Sequence, residues 1–221
     1  MLDKNKPYKS FDGHGVDIAV KRADDLDKKM LEHLQSKVNP EVLDLGCGAG
    51  GQSFRMVETG ALVTAIDSYD FSKEFDTYKV ENKVDDNTLQ FIQGDISDLA
   101  TLISGKTYSD VCVQRTLHYL PYTQAFKLLS SLSIIIDDRL YISVTGIDSD
   151  VGKNYTGKEE SLEARFEELD FETKSTFNIH KPVCLYTKDE FVKLLESAGW
   201  EIDLCWTSAF GNIKAVCVNS Q

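Results

Sequence analysis

The sequence predicts an α/β fold in which a mostly parallel sheet lies between two layers of helices. Short apolar segments with strand character, beginning with EVLDL at 41–45, alternate with helical segments of about ten residues, and this alternation is typical of parallel sheets. A glycine-dense turn follows the first strand. Two strands near the C-terminus are joined by a short loop, so they must pair antiparallel.

The elements between these landmarks follow from local signals. The first strand is predicted to begin after Asn39-Pro40, because proline can open a strand but not lie inside one. A helix is expected from Gly50 to about Glu58, and Gly60 ends it. We expect Ser97 to cap the short helix after the third strand. Further strands are predicted at 62–67, 89–95, 108–114 and 139–146, with helices at 70–78, 97–105 and 122–132.

The last third of the chain changes its pattern. An amphipathic helix at 188–200 is followed by strands at 201–206 and 213–218. Before it lies a long acidic stretch without strand character, and an excursion of this length in a compact domain is usually functional. We interpret residues 146–185 as an insertion that caps the substrate, with a solvated helical appendage as the alternative. The segment 1–38 is predicted to be a helical lid, with a helix at 17–34, so the chain forms one domain, 1–221.

Composition excludes several classes of protein. The chain has 221 residues and a net charge of −12, with its basic residues scattered, so a nucleic-acid partner is not expected. No apolar stretch is long enough to span a membrane, and the N-terminus does not resemble a signal peptide. The five cysteines contain no C-x-x-C pair, which favours reduced thiols in the cytoplasm and no metal site.

The turn VLDLGCGAGG at 42–51 contains the spacing G-x-G-x-x-G at Gly46, Gly48 and Gly51. Such a turn between a strand and a helix admits a nucleotide ligand close to the backbone. Asp44 stands just before it, and a carboxylate there would repel a pyrophosphate but attract a sulfonium or an ammonium. The turn therefore favours an aminoacyl nucleoside over a nicotinamide dinucleotide.

From about residue 40 to the end, the chain resembles a class I S-adenosylmethionine-dependent methyltransferase of the small-molecule type. VLDLGCGAG is similar to the first motif of that family, and AIDSYD and FIQGDISDL to the second and third. DVCVQRTLHYLPY resembles the fourth, and TKDEFVKLLESAGWEI resembles the closing helix and strand. The resemblance implies a Rossmann-like three-layer sandwich with a seven-stranded sheet and an antiparallel C-terminal strand.

The resemblance also implies roles for individual residues toward the cofactor, S-adenosyl-L-methionine. Asp67 would accept hydrogen bonds from both ribose hydroxyls, with Ser68 beside it. Asp95 would take the adenine amine, and the amide of Ile96 a ring nitrogen. The alternatives are a strand-end acid for Asp67 and a helix cap for Asp95.

The methionine portion of the cofactor would lie against the glycine turn. Gly46 and Gly48 would admit it, and Asp44 would hold its ammonium directly or through water. Cys47 is included in this set, although a small packing residue is the alternative. Gln114 is expected to contribute its backbone carbonyl more than its side chain.

Candidate acceptor residues follow the fourth strand or lie in the lid and the cap. Arg115 could bind an anionic group, and His118 could act as a general base or only pack. Four further acceptor contacts are predicted at His14, Tyr119, His180 and Tyr186. Tyr8, Phe11 and Arg22 complete the lid candidates.

These features predict methyl transfer to an oxygen or nitrogen atom of a small-molecule acceptor by in-line displacement. Three alternatives remain: an enzyme that uses the same cofactor for other chemistry, a nicotinamide oxidoreductase and a non-catalytic binding module. No metal is expected, no membrane partner is expected, and the sequence does not predict the oligomeric state.

Overall fold

The structure, a computed structural model, describes Phe11 and Gly13–Asn219. Its strands are β1 Glu41–Leu45, β2 Leu62–Asp67, β3 Leu89–Gln93, β4 Tyr108–Gln114, β5 Ile136–Thr145, β6 Trp200–Thr207 and β7 Asn212–Asn219. Its helices are α1 Asp25–Leu34, α2 Gly51–Glu58, α3 Ser72–Asn82, α4 Leu99–Leu102, α5 Tyr122–Ile135, α6 Phe171–Phe177 and α7 Lys188–Ser197. Among the helices of this described part, none is long and apolar enough to cross a membrane.

The strands form one sheet in the order β3-β2-β1-β4-β5-β7-β6. Strands β1 to β5 pair in parallel, and β7 runs antiparallel to both of its neighbours. The predicted fold class is therefore confirmed. The strand order reverses between β1 and β4, and in sheets of this kind ligands bind at the carboxyl ends beside that reversal.

The strands are buried because helices cover both faces of the sheet. One apolar cluster joins β4 and β5 to α5 and α7, and a second joins β1 and β2 to α1, α2 and α3. The residues after β5 have a smaller cluster of their own, which includes Tyr155, Ile179 and Val183. The insertion is thus a packed substructure rather than an extended loop.

The structure corrects several boundaries, among them the end of α3 at Asn82 and the start of β5 at Ile136, and one helix cap. β3 ends at Gln93, two residues before the predicted end, and the Asp95 carboxylate accepts a hydrogen bond from the Ser97 amide at 2.8 Å. Asp95, not Ser97, therefore caps the short 3₁₀ turn that follows. The N-terminal helix begins at Asp25 instead of residue 17, because Asp24 accepts from the Leu26 and Asp27 amides and forms a capping box.

Residues 13–24 consequently form an irregular segment, which we call the N-terminal strap. Tyr8, a predicted lid residue, lies outside the described residues. Buried Lys214 in β7 pairs with Asp24 and Asp25, holding the start of α1 against the sheet. The C-terminal end of the strap is therefore anchored to the sheet at Asp24, and the rest of the strap crosses the carboxyl edge of the sheet.

Candidate active site

The glycine turn between β1 and α2 is shaped by backbone conformations that favour glycine. Gly46 and Gly48 have φ angles of 70° and 55°, in the left-handed region. A Cβ atom on Gly46 would overlap the hydroxyl of Thr116, which itself donates to the Gln114 carbonyl at 3.0 Å. The turn is thus packed directly against the end of β4.

The second and third glycines of the spacing are required by contact with the N-terminal strap. A Cβ on Gly48 would lie 2.5 Å from Asp17 Oδ2, and one on Gly51 would overlap the Ala19 carbonyl. The Asp17 carboxylate accepts a hydrogen bond from the Ala49 amide at 3.0 Å. Sequence reasoning missed Asp17 because its partner is 32 residues away, although an aspartate in a glycine-rich segment is a known turn signal.

Asp67 ends β2 beside this turn. Its Oδ2 accepts from the Gly48 amide at 2.9 Å and its Oδ1 from the Tyr69 amide at 3.0 Å. Burial raises the pKa of this carboxyl group. Each oxygen keeps a further lone pair, so a vicinal diol could still bind. Ser68 is exposed next to it.

Asp44 lies beneath the turn, 3% exposed, and accepts a 2.6 Å hydrogen bond from Ser53 Oγ. Burial raises its pKa to about 7, and the neighbouring carboxylates of Asp27 and Asp67 add to the shift. A buried acid whose charge is this unfavourable lacks a compensating cation. The arrangement fits a ligand that carries positive charge, and the burial favours contact through water.

The remaining cofactor candidates lie around the same edge. Asp95 is exposed in the loop after β3, and Ile96 is buried behind it. Cys47 is 5% exposed and burial raises the pKa of its thiol well above the ordinary value, so the thiol packs and only its backbone could face a ligand. The Gln114 side chain bonds to Asp27 and Ser143, which leaves its backbone as the group nearest the turn.

Arg115 follows β4 in a left-handed conformation, with φ at 52°. Its amide donates to the Ser143 carbonyl and hydroxyl oxygen atoms at 2.8 and 3.1 Å. Its Nε atom is buried and has no hydrogen-bond partner among the described residues. The Nε–H group is therefore an unsatisfied donor, although the guanidinium lies close enough to Asp27 to offset part of the rise in the pKa of that carboxyl group.

His118 is 2% exposed, and its ring nitrogens lie 3.5 Å from the amide and hydroxyl of Thr145. Burial lowers its pKa to about 3, and Arg115 and His14 add to the shift. A group this weakly basic is a poor proton acceptor near neutral pH. The structure therefore favours the packing alternative over the general base.

We predict that His118 stays neutral from about pH 8 down to about pH 5. An unfolded imidazole takes up a proton near pH 6.5, whereas the folded one does so only near pH 3. Stability should therefore fall as pH falls between these values. Imidazole carbon–proton NMR signals, assigned with His118→Gln, measure this directly. A His118 signal that titrates between about pH 6 and 8 would contradict the prediction.

The N-terminal strap and residues 178–180 of the segment that follows β5 meet beside Tyr119. The His180 amide donates to the Gly13 carbonyl at 2.7 Å, and the Gly15 amide donates to the Asn178 carbonyl at 2.9 Å. The rings of His14 and Tyr119 pack edge to face with centroids 4.7 Å apart. The structure thus brings together His14, Tyr119 and His180, three of the predicted acceptor contacts.

Two lid candidates and one acceptor candidate lie elsewhere. Phe11 packs on Tyr69 and Phe71, at centroid distances of 5.4 and 4.7 Å, just after Asp67. Arg22 is exposed. Tyr186 is fully buried within the large apolar cluster, so its side chain belongs to the core and does not line an open acceptor pocket.

Comparison with known proteins agrees with this geometry. A family profile described as a methyltransferase domain matches residues 36–199. A cypemycin N-terminal methyltransferase from Streptomyces is 34% identical over 87 residues, which are 39% of this chain and 33% of that protein. The alignment therefore spans about a third of that relative.

Solved structures share the fold at low sequence identity. Magnesium protoporphyrin IX methyltransferase from Synechocystis PCC 6803, crystallised with S-adenosylmethionine, superposes with a TM-score of 0.61 at 19% identity, covering 88% of this chain and 78% of that one. The 1,6-didemethyltoxoflavin-N1-methyltransferase of Burkholderia thailandensis gives 0.61 at 16% identity, covering 89% and 79%. The chain belongs to the methyltransferase domain family of the class I fold, whose cofactor is S-adenosylmethionine.

Proposed function

We propose that the protein transfers a methyl group from S-adenosylmethionine to an oxygen or nitrogen atom of a small-molecule acceptor. The observation that carries this proposal is the closure over the carboxyl edge. The strap contacts the glycine turn through Asp17 and pairs with the cap through residues 13–15 and 178–180. A site covered from both sides suits a compact acceptor and the exclusion of water.

The cofactor supplies a methyl group that is already electrophilic because it is bonded to a sulfonium. Asp67 would hold the ribose hydroxyls, and Asp95 and Ile96 the adenine. Gly46 and Gly48, whose Cβ positions are occupied by Thr116 and Asp17, would present their backbone to the methionine portion. Asp44 and the Gln114 carbonyl would face its ammonium. Ser68 and the backbone of Cys47 complete this proposed set. The buried, uncompensated charge of Asp44 supports it.

The acceptor would lie on the other side of the closure, against Arg115, Tyr119, His14 and His180. Holding the acceptor in line with the methyl group can lower the barrier by about 7–11 kcal/mol, so positioning is the main task of these residues. The buried Nε–H of Arg115, which has no acceptor among the described residues, favours an acceptor with a carboxylate or another anionic group. The buried, weakly basic His118 gives no support to a base at that position.

The names of two similar proteins suggest which acceptors to test first. The Streptomyces relative is named for an N-terminus and the Burkholderia enzyme for a ring nitrogen. Amines and ring nitrogens in molecules that also carry a carboxylate therefore come before phenols. With a net charge of −12, nucleic acid remains an unexpected partner. The cytoplasmic location, the absence of a membrane partner and the division into strap, domain and cap remain proposals.

The test combines binding with product analysis. Calorimetry should give binding of S-adenosylmethionine and none of NAD, and incubation with an acceptor panel should yield S-adenosylhomocysteine together with a product heavier by one methylene group. Arg115→Gln should raise KM for anionic acceptors at least tenfold and leave cofactor affinity unchanged. Binding of NAD alone would favour an oxidoreductase. Cleavage of the cofactor without a methylated product would favour other chemistry. Binding of S-adenosylmethionine without turnover of any acceptor would favour a binding module.

A further inference from the structure

A compact group of charged side chains lies at the amino ends of β4 and β5, on the opposite edge of the sheet from the glycine turn. His33 lies in the last turn of α1 and Lys37 follows that helix. Asp110 is the third residue of β4 and Asp138 the third residue of β5. Three separate elements therefore converge on one point that the proposed methyl transfer does not use.

The donor atoms of this group have the separations of a small coordination sphere. His33 Nε2 lies 3.3 Å from Asp110 Oδ1 and 3.2 Å from Asp138 Oδ2. All three donor atoms lie within 4.8 Å of one another. Zinc bonds to imidazole nitrogen and carboxylate oxygen are roughly 2.0–2.2 Å long, so two tetrahedral ligands on one zinc ion lie roughly 3.3 Å apart. Two edges of the triangle already match.

One oxygen of Asp110 points to an incomplete site. The side chain is fully buried, and its Oδ2 accepts from Lys37 Nζ at 2.7 Å and from Ser109 Oγ at 2.8 Å. Its Oδ1 has no hydrogen-bond partner among the described residues and lies 3.3 Å from His33 Nε2. A buried acceptor without a hydrogen-bond donor needs an explanation such as a bound ion or water, and this oxygen lies within 4.8 Å of both His33 Nε2 and Asp138 Oδ2.

The group is reachable from solvent. A cavity of about 490 Å³ is lined by Lys37, Ser109 and Asp137, the first two of which bond directly to Asp110. The Lys37 ammonium also lies 2.6 Å from Asp138 Oδ2. Because the lysine side chain is flexible, the ammonium of Lys37 can move into the cavity when a divalent cation binds the carboxylates in its place. Lys37 is thus a built-in competitor for the site.

We propose that His33, Asp110 and Asp138 form a binding site for a divalent transition metal of the zinc type. The ligand atoms are His33 Nε2, Asp110 Oδ1 and Asp138 Oδ2, and water fills the fourth position. One nitrogen and two carboxylate oxygens suit zinc better than calcium or magnesium, which prefer all-oxygen sites. The ion would fasten the end of α1 to β4 and β5 and has no part in the methyl transfer.

Calorimetry and thermal unfolding of the untagged, chelator-treated protein with zinc chloride test the site. We expect one ion per chain and a rise in Tm of roughly 5–10 °C when zinc exceeds Kd about a hundredfold. Asp138→Asn and His33→Gln should each weaken binding at least tenfold, whereas Lys37→Ala should strengthen it. Asp137→Asn is the matched control, because this exposed neighbour lines the cavity without facing the metal.

The opposite effects of Lys37→Ala and Asp138→Asn separate a real site from a loss of folding, since a misfolded variant cannot bind more tightly. The proposal is wrong if zinc does not bind. It is also wrong if His33→Gln and Asp138→Asn leave Kd unchanged, or if Lys37→Ala weakens binding. If zinc is instead bound by Cys205, the one cysteine of the five that is not buried, then Cys205→Ser would lose zinc binding. Affinity for S-adenosylmethionine should be the same in all these variants, so the two proposals fail separately.

Discussion

Asp44→Asn is expected to weaken binding of S-adenosylmethionine at least tenfold at pH 8 and, at the same pH, to raise Tm by at least about 3 °C. The carboxylate is buried with other carboxylates nearby and has a pKa of about 7. The folded protein must therefore keep an unfavourable charge that only a cationic ligand compensates. Asparagine keeps the acceptor for Ser53 Oγ and removes the charge, so affinity and stability should change in opposite directions.

The pH dependence of the wild-type protein follows from the same group. The folded pKa lies above the unfolded value, so the folded state binds the extra proton between about pH 4 and pH 7. Its contribution to stability is present at low pH and is lost as pH rises through about 7. Cofactor affinity should have the opposite trend, because a cation needs the ionised form, and Kd should rise roughly tenfold from pH 8 to pH 6.

Calorimetry from about pH 6 to pH 8, in buffers of different ionisation enthalpy, measures Kd and the protons released. Asp44→Asn should show neither proton release nor the steep dependence. Ser53→Ala serves as the control, because the hydrogen bond from Ser53 lowers the Asp44 pKa. Losing that bond should move the transition to higher pH without removing it. A wild-type Kd that is constant over this range would show that Asp44 does not face the cationic ligand.

Asp67→Ala is expected to weaken binding of S-adenosylmethionine at least tenfold, because two hydrogen bonds to an ionised acceptor are lost. Asp67→Asn should have a smaller effect, since the amide oxygen still accepts. The alanine variant also frees the Gly48 and Tyr69 amides, so circular dichroism and Tm without ligand must accompany the titration.

The matched control for this variant is Asp70→Ala. Asp70 is an exposed carboxylate that accepts from the Ser72 amide at 2.9 Å, a local bond of the same kind as that between Asp67 and Tyr69. It lies away from the glycine turn, so its removal should leave Kd unchanged. Equal losses in Asp67→Ala and Asp70→Ala would mean that general negative charge, and not ribose binding, explains the effect.

Local patterns were sufficient for the sheet but not for the contacts above it. The bounds of β2 and β4 agree with the prediction, because both strands are mostly apolar and buried, as is typical of parallel strands covered on both faces. The helix predicted at 17–34 began eight residues late because the Asp24 capping box competes with a helix that extends through the strap. The sequence around Asp95 is compatible with the end of a strand or with a helix cap. In the structure Asp95 is the cap.

Contacts between distant residues could not be predicted from the sequence. Asp17 meets Ala49, and His33 meets Asp138 across 105 residues, with no pattern in either segment that names the partner. The burial of His118 and Tyr186 could not be predicted either. Both side chains have the right chemistry for an acceptor site. Their positions after β4 and before α7 do not reveal that both side chains lie inside the core.

The pairing of the strap with the cap has a consequence for the timing of the reaction cycle. In the proposed cycle, one stretch of chain would cover both the bound nucleoside and the acceptor, so neither ligand would exchange with solvent unless that stretch moved. S-adenosylhomocysteine would then leave only after the strap moves away, and the same movement would admit water to the acceptor. We therefore expect this movement, rather than methyl transfer itself, to limit the rate of turnover.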